Sequence, residues 1–175
     1  MTSNTEPRQL THLTEDGRAR MVDVGGKPET ERTAVAEGRL RMARATFEAL
    51  QAGQTPKGDP LLVAQIAGIQ AAKGTSNLIP LCHPLPLTQV DVQVELDATI
   101  PGVRVRSTAR VRGRTGVEME ALTATSIALL TVWDMVKALD MGLVMEDVRL
   151  LEKEGGRSGA WRAGASPDRP QEDAP

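Results

Sequence analysis

The sequence contains very few residues of the kinds that build disulfides, metal centres or aromatic binding surfaces. Its 175 residues include one cysteine, two histidines, two tryptophans, one phenylalanine and no tyrosine. A single cysteine excludes an intrachain disulfide and, with only two imidazoles, argues against a zinc site. The scarcity of aromatic residues argues against a surface that stacks nucleic-acid bases. We therefore expect neither a metal ion nor an organic cofactor to be held by the protein's own side chains.

The sequence also lacks an excess of positive charge and a long hydrophobic run. Its 21 basic and 23 acidic residues give a net charge of -2. Nucleic-acid-binding proteins usually have a strongly basic surface instead. We see no apolar run of membrane-spanning length and no signal peptide. The sequence therefore predicts a cytoplasmic protein that binds neither nucleic acid nor membranes.

The arrangement of apolar residues predicts one α+β domain over residues 21–160, between flexible segments at 1–20 and 161–175. Alternation predicts strands at 33–42, 87–96, 103–111 and 147–154, with Pro101-Gly102 in a hairpin turn. Helical patterns cover 43–52, 60–73 and 118–139. The helix at 60–73 should bury Leu62, Ile66 and Ile69, and the long third helix should be wholly covered. This order indicates a two-layer sandwich of a mostly antiparallel, four-stranded sheet packed on helices.

A proline-rich loop presents the single cysteine and one of the two histidines. Prolines at positions 80, 84 and 86 exclude a helix interior or a central strand, so Leu81, Cys82 and His83 lie on a rigid loop. Histidine titrates near neutral pH, which suits an active site. The competing interpretation of His83 is a buried side chain satisfied by a backbone carbonyl. Cys82 is adjacent in extended backbone, where neighbouring side chains diverge, and is more simply read as a small core residue.

Three further groups of charged residues are candidates for chemistry. Glu118 and Glu120 follow a glycine-led loop at the start of the long helix, where carboxylates also suit the helix dipole. Asp134 and Lys137 share a helix face amid apolar residues, so we expect the pair to be partly buried rather than an ordinary surface ion pair. Cations beside glycines suggest a polyphosphate ligand, and they are Lys57, Lys73, Lys153 and Arg157.

Helix length constrains how these groups could form one site. Glu120 and Asp134 are fourteen residues apart in the sequence, or roughly 21 Å along a helix that rises 1.5 Å per residue. A nucleotide-sized molecule could hardly contact both ends of that helix within one compact site. If both residues act on one ligand, different subunits supply them.

Taken together, these segments resemble the MoaC family, the cyclic pyranopterin monophosphate synthases of molybdenum cofactor biosynthesis. The resemblance covers residues 10 to 160. It is carried by residues 21–24, 57–59, 67–73, 78–85, 115–124, 134–135, 137–138 and 148–151. The resemblance implies a ferredoxin-like fold and a homohexamer, a trimer of dimers with active sites at subunit interfaces. The implied reaction converts 3′,8-cyclo-7,8-dihydro-GTP to cyclic pyranopterin monophosphate and releases diphosphate, so the enzyme would be a lyase.

The resemblance also implies roles for individual residues. Asp134 and Lys137 match a proton-transferring pair, and Lys57 matches a catalytic lysine. The positions that match substrate-binding residues are Leu81, Cys82, His83, Glu118, Met119, Glu120, Arg32, Lys73 and Lys153. The family pattern differs at Trp133, where tyrosine is usual, and at Arg157, where lysine is frequent. The resemblance implies no metal or cofactor, although Mg²⁺ accompanying a triphosphate stays open.

Two other functions are compatible with the same residues. One is a non-catalytic nucleotide-binding or regulatory domain on the same scaffold, since a fold alone does not specify an activity. The other is a hydrolase with Cys82 as nucleophile and His83 as base, which replacement of Cys82 by alanine would inactivate.

Overall fold

One antiparallel sheet forms the centre of the molecule, and its long helices pack against one face. The computed structural model describes residues 16–157 and 159–164. The elements in chain order are β1 (Thr30–Arg41), α1 (Arg44–Gln51), α2 (Pro60–Lys73), α3 (Thr75–Leu78), β2 (Gln89–Asp97), β3 (Gly102–Gly113), α4 (Glu118–Val136), β4 (Val144–Glu154) and β5 (Trp161–Arg162). The predicted α+β class and order are confirmed, with α3 and β5 added.

Within the described residues the sheet has five strands in the order β2-β3-β1-β4-β5, and every pair is antiparallel. The sequence predicted four strands; two-residue strands such as β5 are too short to show an alternation. The predicted hairpin is confirmed, since β2 and β3 pair from Gln89↔Arg110 to Asp97↔Gly102. A side chain at Gly102 would overlap the carbonyl oxygen of Leu40, which explains a glycine at this turn.

Helix α2 begins as predicted but buries a different face. The Asp59 side chain accepts hydrogen bonds from the backbone N–H groups of Leu61 and Leu62, which caps the helix. Leu62 and Ile66, predicted as core, are instead 52% and 56% exposed. Small residues face α4 in their place: Ala64, Gly68, Ala71 and Ala72.

The close approach of α2 and α4 explains this difference. A Cβ atom at Gly68 would lie 3.0 Å from the carbonyl oxygen of Ala124 on α4. Backbones this close leave room only for small side chains, so Leu62 and Ile66 turn outwards. Ile69, the third residue predicted as core, is partly buried and packs against the core as expected. Hydrophobic periodicity identifies an apolar helix but cannot tell which face a close helix crossing selects.

Helix α4 lies over β1 and β3 and supplies much of the core. Its buried side chains pack with Leu40, Val103 and Val105 of the sheet. The helix ends at Val136, three residues before the predicted end, and Leu130 is 51% exposed, so the prediction of a wholly covered helix was wrong. Within the described residues it is the one helix long and apolar enough to cross a membrane, with a mean hydropathy of 1.3. Its packing between the sheet and α2 is that of a core helix.

Strand β4 carries extra residues relative to β1. The register shifts between Val35 and Ala36, so that Leu150 faces Ala36 whereas Lys153 faces Ala34. Leu150 and Lys153 are three positions apart yet lie on the same side of the sheet, because Leu151 is the additional residue of a β-bulge. A second shift lies opposite Gly38, and beside it Asp147 has a φ of 58°.

The described residues include part of each terminal segment that the sequence analysis set apart. Trp161 and Arg162 of the C-terminal segment pair with Lys153 and Glu152. Residues 1–15, 158 and 165–175 lie outside the described part of the chain, so the expected flexibility of the two ends stays a prediction.

Gly38→Ala should lower the free energy of unfolding by about 1–3 kcal/mol, the usual cost of overpacking a core. A Cβ atom there would lie 2.8 Å from Leu129 Cδ1 and 2.9 Å from Val148 Cγ2. Urea unfolding measures the change. Gly26→Ala is the matched control, since nothing lies within 4 Å of a Cβ at that position. Coincident unfolding curves for Gly38→Ala and wild type would contradict the packing described.

Candidate active site

Two neighbouring cavities open at the end of the sheet where α4 begins. The first has a volume of about 380 Å³ and is lined by Val22, Val24, Lys27, Leu81, Cys82, His83, Leu85, Thr115, Gly116, Glu118, Met119 and Glu120. The second, of about 560 Å³, is lined by Lys27, Pro28, Thr30, Arg32, Arg114, Thr115, Gly116, Glu118, Lys153, Gly156 and Arg157. Four lining residues are common to both, so we treat the cavities as one groove with an acidic half and a cationic half.

The proline-rich loop brings His83 to the acidic half. The Nε2 atom of the half-buried His83 lies 2.8 Å from the carbonyl oxygen of Val22. A carbonyl can only accept, so Nε2 carries the proton and Nδ1 keeps a lone pair in the neutral ring. The sequence allowed two interpretations of His83, a side chain satisfied by a backbone carbonyl and a site residue. The side chain bonds to the Val22 carbonyl and also lines the acidic half, so the structure fits both.

Glu120 and Glu118 differ in their surroundings although they are only two residues apart on α4. Glu120 is only 4% exposed. Burial raises the pKa of its carboxyl group, a hydrogen bond with its own backbone opposes the rise, and the nearby Glu118 charge adds to it. Glu118 instead lies 3.4 Å from the ammonium of Lys153. A side chain at Gly116 would overlap the Glu118 carboxylate in its present position, so the Glu118 side chain would have to move.

Glu120→Gln should make the protein more stable at pH 7 than the wild type. The raised pKa means that the unfolded chain releases this proton at lower pH than the folded chain. Wild-type stability therefore falls as pH rises from the ordinary value of about 4.3 through the folded pKa. Glutamine has no such charge, so its advantage in melting temperature should be present at pH 7 and shrink towards pH 4. A pH-independent difference would contradict this account.

The cationic half gathers basic side chains around the glycine loop after β4. The Nε atom of Arg32 donates to the carbonyl oxygen of Gly113 at 3.1 Å. Gly156, with a φ of 74°, lies so close to Arg32 that any side chain there would overlap the guanidinium. Lys153 and Arg157 complete the half that suits a polyphosphate.

Cys82 lines the acidic half but is not activated as a nucleophile. Burial raises the pKa of its thiol, and the negative charge of Glu120 raises it further. Reactive cysteines require the opposite shift, because the thiolate is the nucleophile. The burial of Cys82 and the charge beside it therefore disfavour the hydrolase hypothesis.

A second charged cluster lies at the other end of α4. Asp134 Oδ2 lies 2.6 Å from Lys57 Nζ, and Asp134 Oδ1 lies 2.7 Å from Lys137 Nζ. Hydrogen bonds from Lys137 and then Lys57 lower the pKa of Asp134 to about 2. The three side chains are each about half exposed, so the expected partial burial of Asp134 and Lys137 is not found in the single chain.

The structure thus brings the predicted residues together in two groups. One is the groove, and the other is the Lys57–Asp134–Lys137 cluster, sixteen residues along α4 from Glu118, or roughly 24 Å by helical rise. Lys73 joins neither group, because it is exposed at the end of α2 and lines neither cavity.

Sequence reasoning missed two cations of the groove, Lys27 and Arg114. Both follow a glycine, Gly26 and Gly113, so both carry the signal that had selected other lysines. Among the described residues, no group of three or more His, Cys, Asp or Glu side chains is placed to hold a metal ion.

Comparison with known proteins identifies the family of this chain. The sequence model of the MoaC family matches residues 21–156. A cyclic pyranopterin monophosphate synthase of Novosphingobium aromaticivorans is 58% identical over 154 residues, covering 88% of this chain and 97% of that protein. A protein of the same name from Brucella ovis is 56% identical over 153 residues, covering 87% of this chain and 93% of its own. A match of this extent and identity leaves one conclusion: the chain belongs to the MoaC family.

Proposed function

We propose that this protein is a cyclic pyranopterin monophosphate synthase of molybdenum cofactor biosynthesis, a lyase. It converts 3′,8-cyclo-7,8-dihydro-GTP to cyclic pyranopterin monophosphate and releases diphosphate. The observation that carries the proposal is the groove, whose acidic half suits the amidine-like edge of the purine-derived ring and whose cationic half suits a triphosphate. The similarity to proteins of that name supports it independently.

We assign the chemistry to the Lys57–Asp134–Lys137 cluster. The two ammonium groups on Asp134 keep it ionised and place two acidic N–H donors beside one base, an arrangement that supports paired proton transfers. Substrate binding falls to Leu81, Cys82, His83, Glu118, Met119, Glu120, Arg32 and Lys153. Lys73 belongs to the same proposal on the strength of the family motif alone.

The separation of the two groups supports an active site assembled from two subunits. A ligand in the groove cannot reach Asp134 of the same chain, roughly 24 Å away along α4. The outward residues Leu62, Val63, Ile66 and Leu130 form an exposed apolar surface on α2 and α4, as a subunit interface would. This supports the homohexamer, a trimer of dimers, that the family resemblance implies.

The finer fold assignment and the cellular location belong to the same proposal. The four long strands lie in the order β4-β1-β3-β2, with α2 and α4 on one face, which supports a ferredoxin-like sandwich over residues 21–160. A biosynthetic enzyme acting on a nucleotide-derived small molecule, without nucleic-acid or membrane partners, would work in the cytoplasm.

Incubating the purified protein with enzymatically prepared 3′,8-cyclo-7,8-dihydro-GTP tests the proposed activity. We expect diphosphate and the fluorescent oxidised pterin product to appear together. Substrate binding without either product would favour the non-catalytic alternative, in which the groove is a ligand pocket only.

A further inference from the structure

One cation, Lys27, lies where the two halves of the groove meet. Among the described residues it is the only lysine or arginine that lines both cavities. Lys153 forms an ion pair with Glu118 and Arg114 pairs with Glu29. No acidic partner pairs with the Lys27 ammonium within residues 16–157 and 159–164, so its charge is available to a ligand.

The backbone that carries Lys27 is held in place from both sides. We call residues 22–29 the strap. Its first residue, Val22, contacts His83, and the carbonyl oxygen of Gly25 accepts a hydrogen bond from Arg114 Nη1 at 2.9 Å. Beyond Lys27, Glu29 lies 3.7 Å from the same guanidinium. Within the strap, the N–H of Lys27 donates to Val24 at 3.0 Å.

The position of Lys27 corresponds to a particular part of the substrate. If the ring system occupies the acidic half and the outer phosphates the cationic half, the junction holds the ribose-derived carbons and the α-phosphate. The phosphorus–oxygen bond that releases diphosphate is broken there. An unpaired ammonium at that point is placed to neutralise charge on the leaving oxygen.

We propose that Lys27 binds the α-phosphate and stabilises the departing diphosphate, and that Arg114 positions it by holding the strap. This inference rests on the proposed function. In the step concerned, a substrate hydroxyl oxygen bonds to the α-phosphorus, and its proton passes to water or a basic group. The bond from phosphorus to the α–β bridging oxygen breaks, and that oxygen leaves with the electron pair as part of diphosphate.

Lys27→Met tests the proposal because it keeps the aliphatic stem and removes the charge. We expect kcat for diphosphate release to fall about 10²-fold, as for loss of one donor to a developing anion. Phosphorus NMR should show a pterin intermediate that retains three phosphates. Lys27→Arg should recover most of kcat, and Arg114→Ala should give an intermediate loss. Arg106→Ala, an exposed arginine on the opposite face of the sheet, is the charge-matched control.

The assignment would be overturned if Lys27→Met kept the kcat and KM of the wild type. It would also be overturned if Lys27→Met lost ring rearrangement and diphosphate release to the same extent, with no triphosphate-bearing intermediate. If the wild type and Lys27→Met turn over the substrate equally well, the role of Lys27 is refuted but the synthase proposal stands. If the wild type shows no turnover, calorimetry with inorganic triphosphate decides separately. Weaker binding by Lys27→Met would support the anion contact, and equal or absent binding would refute it.

Discussion

Replacing Asp134 with asparagine should lower kcat by about 10³-fold or more, within the range of losing a positioned acid–base group. Asparagine preserves the shape but removes the charge to which Lys57 and Lys137 donate at 2.6 and 2.7 Å. Both lysines would lose their fixed positions. Because the cluster is half exposed and outside the core, the melting temperature and the oligomeric state should hardly change.

The matched control is Asp91→Asn, the same substitution at an exposed carboxylate on β2. It should turn over like the wild type. The lowered pKa of Asp134, about 2, adds a second check, since any loss of activity on acidification above pH 4 must arise from another group. Asp134→Asn with more than a tenth of wild-type kcat would remove Asp134 from the mechanism.

Mixing two inactive variants should restore activity. Asp134→Asn leaves the groove intact, and His83→Ala leaves the lysine cluster intact, so each is defective at one end of α4. If a site takes its groove from one subunit and its cluster from the next, a mixed pair contains one complete site. Random assembly of equal amounts should recover about one quarter of wild-type activity, because half of the pairs are mixed and each has one working site of two.

The mixture must be prepared by co-refolding or co-expression, so that subunits exchange. Two Asp134→Asn preparations treated identically provide the background. Activity no higher than that background, in a mixture shown by mass spectrometry to contain mixed oligomers, would place both groups of residues within one subunit and refute the interface proposal.

Local sequence patterns predicted most of the fold. Strand alternation depends on neighbouring residues, so the hairpin around Pro101-Gly102 and the cap at Asp59 were predictable. The buried face of α2 was not, because it depends on how closely Gly68 approaches Ala124, a contact between residues far apart in the sequence. For the same reason the sequence could not show that α4 leaves Leu130 exposed.

The candidate site, like the fold, was only partly predictable from the sequence. Residue type and local setting selected His83, Glu120 and Asp134 as candidates, and the family resemblance then implied a role for each. Lys27 and Arg114 carry the same glycine signal as the selected cations. Their place in the groove arises from the path of the strap across the end of the sheet, which no local pattern shows.

The bulge at Leu151 determines which side of the sheet Lys153 occupies. Strict alternation from Leu150, which faces the core with Ala36, would send residue 153 to the opposite side. The extra residue returns Lys153 to the side of the sheet that Leu150 faces, where Lys153 reaches Glu118 in the groove. Deleting Leu151 would therefore remove a cation from the groove while every charged residue of the sequence remained. When relatives are compared, the number of residues in β4 carries as much functional information as the lysine itself.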